Sequence, residues 1–249
     1  GMSSNRLTMT VLRNFPIILF VVVFVLLSVL DERFLSLGNL SNIAESAAFV
    51  GLLAVGMTVV LLTGGIDLSV GATMYITAAV IGTLLQQDVS HYIAIPCGIV
   101  AGTAWGFVIA FLIAMVGLVP FVATLATLTV GRGIGLLLTE SRQFILPPEM
   151  NYANVDFLGI PVPIWVFAAV VAVAVVFLRY TAMGRQIYAM GNDLEAAKKA
   201  GLNVIRLTGS VYVICGFCAS LAGVIAMSQQ GSVSAGIGEG TEFRAIAAA

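Results

Sequence analysis

Apolar positions along the chain fall into seven long runs, at residues 15–30, 43–62, 66–85, 93–116, 121–138, 162–178 and 207–227. Each is close to the roughly 20 residues that a helix needs to cross a bilayer core of about 30 Å. None alternates polar and apolar residues as a barrel strand would, so helix is the conformation that satisfies the backbone in lipid. The first run extends back to Leu7 if Arg13 snorkels. The pattern predicts an all-α polytopic transmembrane protein of about seven spans, with residues 1–249 forming a single transmembrane domain.

Composition agrees with the pattern. Hydrophobic residues make up 60% of the chain and charged residues only 9%, against about 25% in a soluble domain. Mean hydropathy is +1.08. So few charges could not clothe a water-soluble globule, whereas a lipid-facing surface removes the need. The net charge of -1 gives no reason to expect a nucleic-acid partner, and the solvating partner is membrane lipid. Cys97, Cys215 and Cys218 all lie in apolar runs and read as small buried hydrophobes. Cys215-Gly216-Phe217-Cys218 sits within a span, without the setting of a redox loop.

Charge distribution sets the expected orientation. Arg6 and Arg13 precede the first span, and residues 179–206 carry Arg179, Arg185, Lys198, Lys199 and Arg206 against Asp193 and Glu195. Residues 139–161 carry Glu140, Glu149 and Asp156 against Arg142. Seven alternating spans from a cytoplasmic N-terminus place the basic loop inside and the acidic loop outside, as the positive-inside rule requires. Within the basic loop, Asp193 can cap a short helix at 194–200 that ends at Gly201, with Glu195 and Lys199 spaced i,i+4. A surface turn with no partner is the plainer alternative.

Polar interruptions mark where chemistry could reside. Gly64-Gly65-Ile66-Asp67-Leu68-Ser69-Val70-Gly71 separates two apolar runs, and Asp67 or Ser69 can cap the helix that follows. The segment reads either as a tight hairpin between spans or as a discontinuous helix lining a cavity. An acid this close to hydrocarbon is costly unless paired or wet, so Asp67 is a functional or structural-pairing candidate in both cases. Gly98, Gly102 and Gly106 form a close-packing face. Pro120 suits a helix start. Beyond it, Thr124, Thr127, Thr129 and Arg132 add polar groups, and Arg132 either snorkels, meets a carboxylate or serves a translocation path. His91 reads as a loop residue without clustered metal ligands. No catalytic triad, paired-carboxylate arrangement or phosphate-binding glycine loop is evident, so no cofactor, metal or nucleotide is expected on this chain.

Several blocks together resemble the permeases of bacterial ATP-binding-cassette importers of the ribose, xylose and galactose type. They are Gly56-Met57-Thr58 with Thr63 to Gly71, Pro120 to Thr127 with Arg132-Gly133, Gly184 to Asn192 continuing through Glu195-Ala196-Ala197 to Gly201, and Gly240 to Ala248. The resemblance implies a non-enzymatic permease subunit in the bacterial inner membrane that translocates a monosaccharide. ATP-binding subunits would sit on its cytoplasmic side. A periplasmic sugar-binding protein and a second permease copy or paralogue complete the set. Gly64, Gly65, Asp67, Ser69, Gly71, Thr124, Thr127 and Arg132 would then belong to the translocation region. Gly184, Arg185, Gly191, Asn192, Glu195, Ala196, Ala197 and Gly201 would belong to the stretch that engages the ATPase, with 194–200 as the coupling helix. Members of that family continue beyond the last block, which gives the expectation of a truncated bundle. The alternative from the residues alone is an ion-coupled secondary transporter, for which Asp67 would be the first ion ligand to test.

Overall fold

A computed structural model of the chain describes residues 2–152 and 155–249, with side chains from Asn14 onward. The side chains of Arg6 and Arg13, which carried part of the orientation argument, lie outside the described residues. Two compact units are present, residues 1–44 and residues 45–249.

The first unit holds helix α1 (Met2–Leu30) and the start of helix α2 (Leu37–Leu61). Between them Asp31 accepts the backbone N–H of Arg33 at 2.8 Å, and the Asn39 side chain donates to the Phe34 carbonyl at 2.8 Å. Phe24 stacks between Phe20 and Phe34, with ring centroids 5.8 and 5.2 Å away.

The second unit is built around helix α3 (Val70–Gln86), which packs on helices α4 (His91–Ala110), α5 (Pro120–Leu138) and α9 (Val204–Gln230). Most of α3 is buried, although its composition is that of a span. Periodicity did not distinguish a helix surrounded by helices from one surrounded by lipid. In contrast, α6 (Val162–Tyr180) buries only Pro163 within the protein and presents its apolar side chains outward, as a lipid-facing helix does. Among the described residues, five helices are long and apolar enough to cross a membrane, namely α2, α4 with the π-helical turn Phe111–Met115 that extends it, α5, α6 and α9. Residues Asn14–Leu30 and helix α3 are shorter apolar helices.

Helix α4 is held against its neighbours by the glycine face seen in the sequence. A side chain at Gly98 or Gly102 would overlap Ile81 and Thr77 of α3, and at Gly102 also Ser220 of α9. At Gly106 the position of a β-carbon lies 3.2 Å from the Gly216 Cα, so α4 and α9 meet backbone to backbone. This is close packing of the kind small residues permit where lipid supplies no hydrophobic drive.

Several details depart from the sequence expectation. Helix α3 starts at Val70 rather than near Ile66, because 62–69 is non-helical. The basic connection holds two helices, α7 (Ala182–Asn192) and α8 (Leu194–Lys199), where one was expected. Short strands also occur. Strand β1 (Phe144–Ile145) pairs antiparallel with β4 (Ser232–Val233), and β2 (Asp156–Phe157) with β3 (Ile160–Pro161). Cys97 is exposed while Cys215 and Cys218 are buried. Cys97 lies on a face of α4 turned away from the bundle, where an apolar thiol needs no protein partner.

Candidate functional site

Two interruptions of helix lie against α3 in the second unit. The first, residues 62–69, joins α2 to α3. Asp67 is 1% exposed and Ser69 fully buried. The Asp67 carboxylate accepts the Ser69 N–H at 2.8 Å and the Ser69 hydroxyl at 2.5 Å, with Cys215 of α9 close beside it. Asp67 thus satisfies a donor ahead of α3, whereas the Ser69 hydroxyl points back to Asp67 and makes no cap of its own. Next to it the Tyr212 hydroxyl donates to the Ile66 carbonyl at 3.5 Å and covers Gly65, where a β-carbon would lie 2.5 Å from the phenol oxygen. Gly56 of α2 backs onto Cys215 and Cys218. Gly64, with φ of 74°, is the exposed bend at which the chain leaves α2.

The second interruption, residues 231–240, follows α9. It departs from strand β4, where Val233 packs on Gly82 near the end of α3, and reaches Gly71 in the first turn of the same helix. Those contacts are about 16 Å apart along α3 at 1.5 Å per residue. At the far end the backbones of Gly71 and Gly238 touch so closely that a β-carbon on Gly71 would overlap the Gly238 carbonyl, and one on Gly238 would lie 2.5 Å from the Gly71 carbonyl oxygen. Gly238 also has φ of 71°, in the region that favours glycine.

Arg132 of α5 holds this segment. Its Nη1 donates to the Ala235 carbonyl at 2.9 Å and the Ile237 carbonyl at 2.6 Å, and its guanidinium lies 5.6 Å from the Tyr75 ring centre. The Tyr75 hydroxyl is 3.1 Å from that of Thr139. Glu239 and Glu242 supply attractive charge. The guanidinium therefore spends its donors on backbone rather than on a salt bridge. Thr124 and Thr127, both buried on α5, bond to their own helix, Thr124 to the Phe121 carbonyl at 3.4 Å and Thr127 to that of Ala123 at 2.9 Å. They do not reach the two interruptions through hydrogen bonds.

The basic connection forms a second cluster. Thr181 caps α7 by accepting the Gly184 N–H at 3.0 Å, and Asp193 caps α8 by accepting the Ala196 N–H at 2.9 Å. Gly184 packs on the backbone of Phe177 and Leu178. Arg185 donates to the Tyr180 carbonyl at 3.4 Å, and Asn192 ends α7. Ala197 is buried, and Gly201 follows α8 with φ of 79°. Glu195 pairs with Lys198 at 2.8 Å, not with the expected Lys199. Gly191 lies directly against the Leu62 carbonyl, leaving no room for a side chain. The basic connection thus touches the first interruption at its first residue.

Tyr212, Tyr75 and Leu62 were not singled out by sequence, and Cys215 was read only as a small buried hydrophobe. Tyr212 and Cys215 share a face of α9 at i,i+3, a signal available only once the facing segment is known. His91 starts α4 with its ring 4.0 Å from that of Tyr92.

Residues 39–249 match the family model described as branched-chain amino acid transport system / permease component. The chain is 34% identical over 234 residues to the ribose import permease protein RbsC of Haemophilus influenzae, covering 92% of this chain and 72% of that one. With RbsC of Bacillus subtilis it shares 37% over 235 residues, again 92% and 72% of the two chains. The autoinducer 2 import system permease protein LsrC of Salmonella typhi is 36% identical over 231 residues, 92% of this chain and 66% of the relative. No solved structure matches.

Proposed function

The chain belongs to the branched-chain amino acid transport system / permease component family, and on that premise we propose how its geometry serves import. It is a multi-pass permease subunit of an ATP-binding-cassette sugar importer, a translocation subunit rather than an enzyme. Family membership leaves the ion-coupled alternative without support. The similar proteins import ribose and autoinducer 2, so the solute class is a monosaccharide or related small polyol, delivered by a periplasmic binding protein. ATP-binding subunits act from the cytoplasmic side, and a second permease copy or paralogue completes the pathway.

The polypeptide crosses the membrane seven times from a cytoplasmic N-terminus in this reading, with α3 and residues 14–30 counted as spans. The basic connection bearing α7 and α8 then faces the ATPase. The observation that carries the mechanism is the seating of Gly191 on the Leu62 carbonyl. A push on α8 reaches α7 across the single residue Asp193, and α7 bears on the start of the interruption that carries Asp67. Movement at the ATPase is thereby transmitted to the centre of the bundle through backbone contacts, which transmit displacement with little slack. Gly64, Gly65, Asp67, Ser69 and Gly71 form the moving part of the solute path, in keeping with non-helical backbone being tolerated at depth where it lines a cavity.

The test is Glu195→Lys, or deletion of 194–200, in the full-length gene product. Membrane insertion is expected to persist while binding-protein-dependent sugar uptake is lost. Normal uptake by either variant would remove the coupling assignment. A mild-detergent pull-down from native membranes is expected to retain an ATP-binding subunit, and recovery of a homo-oligomer alone would count against the importer assembly.

A further inference from the structure

We propose that Arg132 is a positioning residue for transport, holding residues 234–240 as a re-entrant segment whose contact with Gly71 closes the solute path from the side where α9 ends. This rests on the permease reading for the word transport, but the placement of the segment stands on geometry alone.

The segment is neither helix nor sheet beyond β4, yet it lies against α3 from Gly82 to Gly71. Its own turns satisfy part of its backbone, with the N–H groups of Ile237, Glu239 and Thr241 donating to the carbonyls of Ser234, Gly236 and Gly238 at 3.1, 3.2 and 3.4 Å. The carbonyls of Ala235 and Ile237 are taken up by Arg132. Ile237 is buried, where an unsatisfied carbonyl is expensive, so the guanidinium supplies there what water would supply elsewhere. Arginine suits this task because its planar fork presents several donors in fixed directions, whereas lysine offers one flexible point charge. The segment is anchored at three further places: the β1–β4 pairing, the Thr241 hydroxyl on the Gly238 carbonyl at 2.8 Å, and the same hydroxyl against the Met74 sulfur at 3.6 Å.

At Gly71 and Gly238 two backbones touch with no side chain between them. A solute approaching Asp67 from the β4 side must part these two residues. Arg132 determines whether they stay together, since Ile237, the residue before Gly238, is one of the two carbonyls it holds.

The experiment uses the full-length permease in native membranes with its ATP-binding and binding-protein partners. Ile237→Cys, at a buried position, is labelled with a membrane-impermeant maleimide applied to either face, and the protein retaining only its native cysteines gives the background. Labelling is expected to be slow with Arg132 present and on the order of ten-fold faster with Arg132→Ala, while a Ser141→Cys control is labelled equally in both. Maximal uptake is expected to fall by a similar factor in Arg132→Ala, with the half-saturating concentration of loaded binding protein changing less than about two-fold. Arg132→Lys recovers part of both. Equal labelling of Ile237→Cys with and without Arg132, or undiminished uptake by Arg132→Ala, overturns the proposal. If Arg132→Ala fails to accumulate, Gly238→Ala tests the same closure with the arginine in place. Faster labelling at position 237 supports the proposal, and unchanged labelling overturns it. Absence of any sugar uptake by the unaltered protein would remove the permease reading instead, and the labelling ratio would still decide where the segment lies.

Discussion

The two interruptions solve one problem with opposite chemistry. Residues 62–69 join α2 to α3, and just ahead of α3 a carboxylate, Asp67, takes the N–H and the hydroxyl of Ser69. Residues 231–240 join α9 to a last helix, Thr241–Ala248, and in the middle of that loop the Ala235 and Ile237 carbonyls are taken by a guanidinium, Arg132, beside an aromatic ring. Backbone donors need acceptors and backbone carbonyls need donors. The acid is supplied locally, two residues from the donor it serves. The base comes from another helix, more than a hundred residues away. The first interruption is therefore self-contained, while the second depends on how α5 is packed.

That difference can be broken at several points. The largest effect is expected where the second interruption meets the first turn of α3. Gly71→Leu places a branched side chain into the Gly238 carbonyl and should prevent accumulation of folded permease, read as loss of full-length protein from detergent-extracted membranes. Normal accumulation would mean that the segment need not meet α3 there. Next is Asp67→Ala, which strands a buried N–H and hydroxyl and should cost about 1–3 kcal/mol for each group left unpaired. A thermal denaturation series in detergent measures it. Asp67→Asn keeps an acceptor and should lose distinctly less, and an equal loss would show that charge rather than hydrogen bonding matters.

A smaller effect is expected at Gly191→Ala, which pushes α7 off the Leu62 carbonyl. Uptake should fall by on the order of ten-fold, about 1.4 kcal/mol, with membrane insertion intact. Unchanged uptake would separate the basic connection from the first interruption. The smallest is Tyr75→Phe. It keeps the ring beneath Arg132 and removes one hydroxyl contact, worth about 1 kcal/mol, and uptake should be nearly preserved. A large loss of uptake would shift the support of Arg132 from the ring to the Tyr75–Thr139 contact.

The apolar runs revealed the helices because run length and hydropathy are local properties. Asp193 was readable as a cap for the same reason, its acceptor lying three residues from its donor. Family blocks identified the permease class. What stayed hidden was long-range. Nothing near Arg132 announces that it meets the Ala235 and Ile237 carbonyls, and nothing near Cys215 announces that Asp67 lies beside it. The start of α3 was misplaced because Ile66 and Leu68 are as apolar as a span requires, and only the buried carboxylate between them unwinds the chain. Helix α7 was missed because its polar positions, Arg185, Gln186 and Asn192 among them, resemble those of a loop.

One feature of the packing bears on motion. Where α4 meets α9, Gly106 faces Gly216 and no side chain is interposed. Interlocked side chains resist displacement along the helix axis, because each must climb over the next. A smooth seam of peptide against peptide has no such teeth, so these two helices can glide lengthwise by an ångström or two without repacking a core. Stroke length would then be limited by the first side chain met along the seam, Ser220 of α9 against Gly102.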